Sequence, residues 1–363
     1  MKKRILVVCP YPEGAVPGQR LKYEQYFEHL RSKGYQITVS PFFERSICNV
    51  LYEPGRYPQK VLGTLWGYIK RSLQLAQLPF YDGIYVFLYV TPFGGPFFEW
   101  LFRLLSRQMI YDIDDLVFLG KTTQYNQIVQ WLRGPEKYFY QMRVADHVIT
   151  CTPYLDSFVR KHNQRTTDIS STINTKTYRP IENYANDHQL VLGWTGSHST
   201  VPYLRLLEHV LQGLREWHDF KLLVIGTAEF RIDGIEVEAF PFDRESEVRD
   251  LRRIDIGLYP LPDEEWVLGK SGCKALQYMA MGIPAIATAV GANFRVIENG
   301  ISGFLVKSDD EWRLRLAELM GDPELRRRIG QAGRERVERY YSVRANEPTY
   351  LSIFEQVYGS GER

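Results

Sequence analysis

The chain has 363 residues, of which 44% are hydrophobic and 24% are charged, as is typical of soluble globular proteins. A single hydrophobic core seldom grows beyond about 250–300 residues, so two domains are expected. The net charge is only +2 and no helix-turn-helix, zinc-finger or RNP-like motif is present, which argues against a nucleic acid partner.

The charge is unevenly distributed along the chain. Residues 1–182 carry 23 Lys and Arg against 15 Asp and Glu, a net charge of +8, so the remainder carries −6. This asymmetry predicts that the first half faces an anionic partner such as a membrane surface. The four cysteines are scattered, which indicates neither a zinc site nor a disulfide framework and suits a reducing cytosol. We therefore expect a cytoplasmic protein.

Along the first half of the chain, short apolar runs alternate with patterns of helical spacing. The first run, in MKKRILVVCPYP, is too short and too Pro-rich for a signal peptide and reads as a buried strand. The predicted strands are Arg4–Cys9, Gln36–Ser40, Gly83–Val90, Gln108–Ile113 and His147–Cys151. The predicted helices are Arg20–Lys33, Val61–Leu78 and Phe97–Ser106.

The second half repeats this scheme after a polar linker at Arg179–His188. The predicted strands are Gln189–Trp194, Lys221–Ile225, Ile235–Phe240, Ile254–Tyr259, Pro284–Ala287 and Gly303–Val306. The predicted helices are Val201–Trp217, Glu245–Arg252, Cys273–Met281 and Asp309–Leu319. The pattern predicts two doubly wound, Rossmann-like α/β domains at 1–183 and 184–342, with a ligand cleft at the carboxyl ends of their strands.

The turn Gly269-Lys270-Ser271-Gly272 leads directly into the helix predicted from Cys273. Glycines allow close approach of a ligand to the backbone, and a helix N-terminus offers unpaired N–H groups and positive potential to an anion. Lys270 adds a full charge. The turn therefore fits a diphosphate cradle, although a tight turn with a solvated lysine explains the same residues.

The stretch from Asp255 to Val306 and the Arg-rich Leu325–Tyr341 resemble the C-terminal signature of family 4 of the retaining glycosyltransferases. Leu276-Gln277-Tyr278-Met279-Ala280, Gly282-Ile283-Pro284-Ala285-Ile286 and Gly300-Ile301-Ser302-Gly303-Phe304-Leu305-Val306 fill the motifs of that family. The resemblance implies the GT-B fold, a helix at about 343–363 that packs back on the first domain, and sugar transfer from a nucleotide-diphosphate sugar with no metal and no other cofactor. It also implies a glycan or lipid-linked acceptor, in bacterial surface polysaccharide or glycolipid synthesis.

The chain departs from the family at both acidic positions of its Glu-x7-Glu motif, which fall on Gly269 and Gln277. The resemblance implies that Gln277 bonds the ribose hydroxyls, since its amide both donates and accepts. Gly269 cannot replace the first Glu. The acidic residues just upstream, Asp263 to Glu265, either take that role or form a solvated loop.

The family places an Arg and a Lys after the first strand of this domain, where the present chain has Gly196 and Ser197. A Gly-rich loop can still bind phosphate through its side-chain hydroxyls and backbone N–H groups. Lys270 and Lys274 then become the leading diphosphate cations, with Ser271 and Gly272 between them.

Two segments of the first half are further candidates. The loop Tyr11–Arg20 resembles the glycine-rich first loop of the family, so Gly18 and Arg20 are expected to contact the donor diphosphate; a surface role for Arg20 is equally open. Asp112, Asp114 and Asp115 end a strand, where they could hold a metal, accept a phosphoryl group, orient an acceptor or cap a helix. We favour the acceptor role, with Asp114 and Asp115 ahead of Asp112 because side chains alternate along a strand.

The helix predicted at Val61–Leu78 is amphipathic and carries Lys70 and Arg71. It fits either a core-facing helix or one that lies on an anionic bilayer, at the inner face of the cytoplasmic membrane. Two rival functions also remain open. A nucleotide-sugar epimerase shares this architecture, and a non-catalytic degenerate binding protein would explain the missing acidic residue at Gly269.

Overall fold

The computed structural model describes residues 2–51, 55–119, 134–182, 184, 188–196 and 200–359. The chain forms two compact units, one of Met1–Ser171 with Asn346–Arg363 and one of Thr172–Ala345. Each unit contains one six-stranded sheet in which every neighbouring pair of strands is parallel. The two-domain α/β architecture expected from the alternating pattern is therefore confirmed.

The first unit is built on a sheet in the order β2-β1-β3-β4-β5-β6. Its strands are β1 Lys3–Cys9, β2 Tyr35–Pro41, β3 Gly83–Phe87, β4 Met109–Asp112, β5 His147–Thr150 and β6 Thr166–Asp168. Its helices are α1 Pro17–Arg20, α2 Phe27–Ser32, α3 Arg45–Leu51, α4 Tyr57–Leu75, α5 Phe97–Leu105, α6 Glu136–Val144 and α7 Pro153–Val159, with short 3₁₀ turns at Glu24–Tyr26 and Leu78–Phe80. The chain order reverses between β1 and β3.

The second unit repeats this arrangement in the order β12-β11-β10-β7-β8-β9. Its strands are β7 Leu190–Thr195, β8 Phe220–Ile225, β9 Val237–Phe240, β10 Ile256–Tyr259, β11 Ala285–Thr288 and β12 Phe304–Val306. Its helices are α8 Val201–Leu204, α9 Glu208–Arg215, α10 Glu247–Leu251, α11 Cys273–Ala280, α12 Asn293–Val296, α13 Asp309–Gly321 and α14 Pro323–Arg336, with 3₁₀ turns at Arg205–Leu207 and Glu265–Gly269 and a wider π turn at Val337–Tyr341. The chain order reverses between β7 and β10, and ligands bind at such a point in open α/β sheets.

The last helix, α15 at Val343–Tyr358, adds aromatic side chains to the core of the first unit. Tyr350 stacks on Tyr26 with ring centres 4.0 Å apart, and the Tyr358 hydroxyl donates to the carbonyl oxygen of Ile84 at 2.6 Å. Both tyrosines are buried. The last helix thus packs on the core of the first unit and donates a hydrogen bond to β3.

Two predicted helices are broken in the structure. The helix expected at 20–33 is interrupted at residues 21–23, where Lys22 is buried and donates to the carbonyl oxygen of Thr150 at 2.7 Å. The helix expected at 201–217 consists of two α-helical pieces joined by a 3₁₀ turn. Strand β6 is not among the predicted strands, since its sequence Thr-Thr-Asp carries no apolar signal.

Helix α4 reverses the usual amphipathic arrangement. Its buried residues are Gly67, Arg71 and Gln74, whereas most of its large apolar side chains are exposed to solvent. The Arg71 guanidinium is fully buried and donates to the carbonyl oxygens of Val90 at 2.9 Å and Cys9 at 3.1 Å. Arg71 therefore ties the end of β1 to the segment that follows β3. Of the two interpretations left open for this helix, Arg71 does not fit the bilayer-facing one, because it is buried. Among the described residues, no helix is both long enough and apolar enough to cross a membrane.

Candidate functional site

Lys274 lies at the point where the chain order of the second sheet reverses. It belongs to the first turn of α11, and its Nζ lies 5.5 Å from the centre of the Trp194 ring and 5.3 Å from that of Tyr259. Trp194 belongs to the end of β7 and Tyr259 to the end of β10. The amine is thus held over the carboxyl ends of the two central strands by two aromatic faces, which attract a cation.

The environment of Lys274 disfavours its charge. Burial, and secondly the positive charge of Lys270, lower the pKa of Lys274 from 10.5 to about 8. The Lys270 Nζ lies 5.4 Å from the centre of the Trp266 ring, which packs against Tyr203 at 5.4 Å. Two mutually repelling ammonium groups beside aromatic surfaces form a site that an anion would stabilise.

The turn Gly269–Gly272 directs both lysines to this place. Gly269 ends the 3₁₀ turn, and Gly272 precedes α11 with a left-handed φ of +77°. A Cβ on Gly272 would come within 2.9 Å of the Val296 side chain. Gly272 is therefore required both by backbone conformation and by space, and the turn brings Lys270, Ser271 and the N-terminus of α11 together.

The loop after β7 is shaped by close backbone approaches. A Cβ on Gly196 would lie 2.4 Å from the Trp194 ring. Gly226, which follows β8, has a φ of +138°, and its Cβ would lie 1.9 Å from the Gly196 carbonyl oxygen. Only glycine allows these two loops to pack this closely. Ser197, the other predicted residue of this loop, lies outside the described residues.

Tyr278 connects α11 to both central strands. Its buried hydroxyl accepts a hydrogen bond from the Thr195 N–H at 3.0 Å and donates to the Leu258 carbonyl oxygen at 3.4 Å. Burial raises the pKa of Tyr278, so the hydroxyl stays protonated as a donor. This bond fixes the helix that carries Lys274 relative to the loop of Gly196.

Gln277 is held by a buried carboxylate. Its Nε2 donates to Glu247 Oε1 at 2.8 Å, and the Tyr178 hydroxyl donates to the same oxygen at 2.9 Å. All three residues are buried, with Glu247 only 3% exposed. The amide nitrogen of Gln277 is therefore engaged, which leaves its carbonyl oxygen as the group that could accept a bond from a ligand hydroxyl.

In the first unit, the loop after β1 approaches the segment after β4. A Cβ on Gly18 would lie 3.6 Å from Asp114 Oδ2, and Arg20, at the end of α1, is half-buried. Gln19 fixes the loop from within, because its amide exchanges hydrogen bonds with both the N–H and the carbonyl of Tyr11 at 3.0 and 2.9 Å. The structure thus places Gly18 beside Asp114.

The three aspartates occupy different environments. Asp112 is fully buried, accepts a short hydrogen bond from the Tyr85 hydroxyl and lies 3.8 Å from Lys22 Nζ. Burial raises its pKa from 3.8 to about 6, against the opposing effects of Lys22 and Tyr85. Asp114 and Asp115 are half-buried, and Asp115 accepts from the Leu116 N–H at 2.8 Å. Across the part of the chain that the structure describes, they do not form a metal-binding cluster.

The residues that support the candidate groups carry no signal in the sequence. The pattern of apolar runs places Trp194 and Tyr259 in strands but gives neither a role, and it marks neither Glu247 nor Tyr178. Glu247 lies 30 residues from Gln277 and Tyr178 lies 99 residues from it. A local motif cannot indicate such partners, because only tertiary packing brings them together.

Comparison with known proteins relates the second unit to glycosyltransferases. Residues 189–322 match the family model for glycosyl transferases group 1. A segment of 78 residues is 37% identical to "Putative glycosyltransferase EpsD" of Bacillus subtilis (strain 168) and covers 21% of this chain and 20% of EpsD. The chain thus spans about a fifth of the length of that relative.

Several solved structures share the fold over the whole chain. Sucrose-phosphate synthase from Thermosynechococcus elongatus superimposes with a TM-score of 0.69 at 16% identity, covering 99% of this chain and 100% of that one. A glycosyltransferase from Rickettsia africae gives 0.69 at 13% identity with coverages of 99% and 100%. Anabaena Alr3699/HepE, solved in complex with UDP and glucose, gives 0.68 at 13% identity with coverages of 98% and 100%. Residues 189–322 therefore match the glycosyl transferases group 1 model, in a chain that has the two-domain GT-B fold of these solved structures.

Proposed function

We propose that this protein is a retaining glycosyltransferase that moves a sugar from a nucleotide-diphosphate sugar to a glycan or lipid-linked acceptor. The observation that carries the proposal is the pair Lys270 and Lys274 beside the N-terminus of α11, at the switch point of a group 1 domain. Anabaena HepE, which shares the fold, has been solved in complex with UDP-glucose, and this supports a nucleotide sugar as donor. The acceptor class, the cytoplasmic setting and a role in bacterial surface polysaccharide or glycolipid synthesis follow from the sequence resemblance.

In the proposed reaction, the bond between the anomeric carbon and the diphosphate oxygen breaks and the acceptor oxygen bonds to the same face of that carbon. The leaving phosphate oxygen takes the proton of the acceptor hydroxyl. Negative charge grows on the diphosphate as the bond breaks, and preorganised cations stabilise this change most effectively. Lys270, Lys274 and the N–H groups at the start of α11 have this role in the proposal.

The remaining groups bind the donor or orient the acceptor in the proposal. Gln277 accepts from the ribose hydroxyls through its carbonyl oxygen, while Gly196 and Ser197 admit the phosphates to the backbone of their loop. In the first unit, Gly18 and Arg20 contact the anionic donor, and Asp114 and Asp115 orient the acceptor hydroxyl. Asp112 is assigned no contact with substrate because it is fully buried.

The test is binding and slow hydrolysis of a panel of UDP-, GDP- and other nucleotide sugars by the full chain. Lys270→Ala and Lys274→Met are compared with Lys176→Ala, which removes an exposed lysine of the same unit. We expect one donor class to bind selectively. Binding should be much weaker in Lys270→Ala and Lys274→Met and unchanged in Lys176→Ala.

The outcomes separate the rival functions. Donor turnover that requires an acceptor supports a transferase, whereas conversion of the sugar without acceptor would indicate an epimerase. Binding without turnover under any acceptor would indicate a degenerate binding protein. If no nucleotide sugar binds, the proposed donor site is wrong.

A further inference from the structure

Exposed apolar side chains are concentrated in one part of the first unit. Among the described residues, 13 of the 21 large hydrophobic side chains that face solvent lie between residues 57 and 105. Soluble proteins rarely expose large contiguous apolar patches without a binding function. This concentration therefore requires an explanation beyond packing.

Helix α4 supplies the larger part of the patch. Its members are 50–66% exposed: Val61, Leu62, Leu65, Trp66, Ile69 and Leu73. Leu62, Leu65 and Ile69 follow helical spacing on the side opposite the buried Arg71. A helix that only covered the core would turn these three apolar side chains inward and its arginine outward. The observed arrangement is the reverse. Packing within the first unit therefore does not explain why the side of α4 opposite Arg71 is apolar.

Helix α5 extends the patch. Phe97, Trp100 and Leu104 are 46–62% exposed, and α5 meets α4 through the rings of Phe98 and Tyr68, whose centres are 5.7 Å apart. We call these three residues, together with the six named on α4, the outer apolar face.

The charges on these two helices favour one kind of partner. Within α4 and α5 the only acidic residue is Glu99, which is fully buried and accepts from the backbone N–H groups of Val90 and Thr91. The basic residues are Lys60, Lys70, the buried Arg71 and Arg103, of which Lys70 pairs with Glu44 and Arg103 with Asp146 from other segments. Against Glu99, Glu44 and Asp146, these four basic residues leave a net charge of +1. Apolar helices with a positive balance of charge and no exposed carboxylate of their own suit an anionic lipid surface.

We propose that the outer apolar face docks on the surface of a bilayer that contains anionic phospholipid. Trp66 and Trp100 suit the boundary between head groups and acyl chains, where tryptophan is enriched. A second copy of this chain fits less well, because across a two-fold axis α4 and α5 offer no exposed carboxylate to meet each other's basic residues. The docking proposal is argued from the outer apolar face and does not depend on the proposed function. Only the purpose of docking, access to a lipid-linked acceptor, rests on the proposed function.

The test is co-sedimentation of the full chain with vesicles of phosphatidylcholine alone or mixed with phosphatidylglycerol. Leu65→Glu and Ile69→Glu change side chains that are at least 50% exposed, so folding is expected to survive. Leu314→Glu, at a 53% exposed leucine of the second unit, is the matched control. Each variant of the face should lower the partition coefficient by about tenfold or more, because an apolar side chain loses its transfer free energy and a negative charge is added.

The expected result is binding to the mixed vesicles that weakens with salt, is lost in both face variants and is kept in the control. Equal binding by all variants, or no binding by the wild type, would overturn the proposal. A dimer in light scattering that the face variants dissolve, without vesicle binding, would overturn it in favour of a second copy. Donor hydrolysis is measured in parallel: its retention in the face variants separates a failure of docking from a failure of the proposed transferase.

Discussion

The pKa of Lys274 predicts how the affinity for a nucleotide sugar depends on pH. In the free protein, burial and the charge of Lys270 hold its pKa at about 8 instead of 10.5. A bound diphosphate favours the protonated amine, so donor binding is coupled to protonation of Lys274. The affinity for a nucleotide sugar is therefore expected to be constant below pH 7 and to fall as the pH rises through 8.

The size of the effect follows from the fraction of protonated amine. With a pKa of about 8, about nine-tenths of Lys274 is protonated at pH 7 and about one-tenth at pH 9. The affinity should then fall about tenfold between these two values, or about 1.4 kcal/mol. The diphosphate of an intact sugar nucleotide is esterified at both ends, so its charge does not change in this range.

The assay is calorimetric titration of the preferred donor at a series of pH values from 7 to 9. Lys270→Ala removes the neighbouring charge, so the break in its profile should move to higher pH. Lys274→Met should bind weakly with no break. A flat profile for the wild type, or an unchanged break in Lys274→Met, would refute the assignment of Lys274 as a diphosphate cation.

The same pKa predicts a gain in stability when the amine is removed. The folded value of about 8 lies below the unfolded value of 10.5, so the folded state disfavours the charged form and stability rises as the pH increases from 8 to 10.5. Below pH 8 the penalty is about 3 kcal/mol at 1.36 kcal/mol for each pH unit. Lys274→Met should therefore raise the melting temperature of the ligand-free protein at pH 7 while it weakens donor binding. A lower melting temperature would contradict the described burial of this amine.

Three further predictions concern residues near the two sites. Gln277→Glu sets a second carboxylate against Glu247 and should weaken donor binding at least tenfold, whereas the exchange Glu247→Gln with Gln277→Glu restores one carboxylate and should recover most of the affinity measured by calorimetry. Asp112 has a folded pKa of about 6 against 3.8 unfolded, so wild-type stability should fall as the pH rises from 4 to 6; chemical denaturation of Asp112→Asn should lack this fall. Gly226→Ala places a Cβ 1.9 Å from the Gly196 carbonyl oxygen, which should cost about 1–3 kcal/mol in urea unfolding and reduce donor affinity; an unchanged midpoint would show that the two loops can separate.

The sequence by itself determined the class of the fold and the position of the glycine-rich turn before α11. Parallel strands buried on both faces read as short apolar runs, and glycine before a helix marks a turn that needs a left-handed backbone, as Gly272 has. These signals are local, since each depends on residues within a few positions of one another. The place of Lys270 and Lys274 at a turn suited to phosphate could therefore be predicted from the local sequence.

Tertiary structure decided what these residues touch. The sheet order places Trp194 and Tyr259 under Lys274, and this burial, together with the charge of Lys270, lowers the pKa of the amine. The same holds for Glu247, which reaches Gln277 from a different helix. Sequence periodicity found the amphipathic helix α4 but could not tell which side faces the core, because Arg71 finds its backbone acceptors on segments 19 and 62 residues away. A side chain's partners depend on contacts between distant segments, and a local pattern carries no information about them.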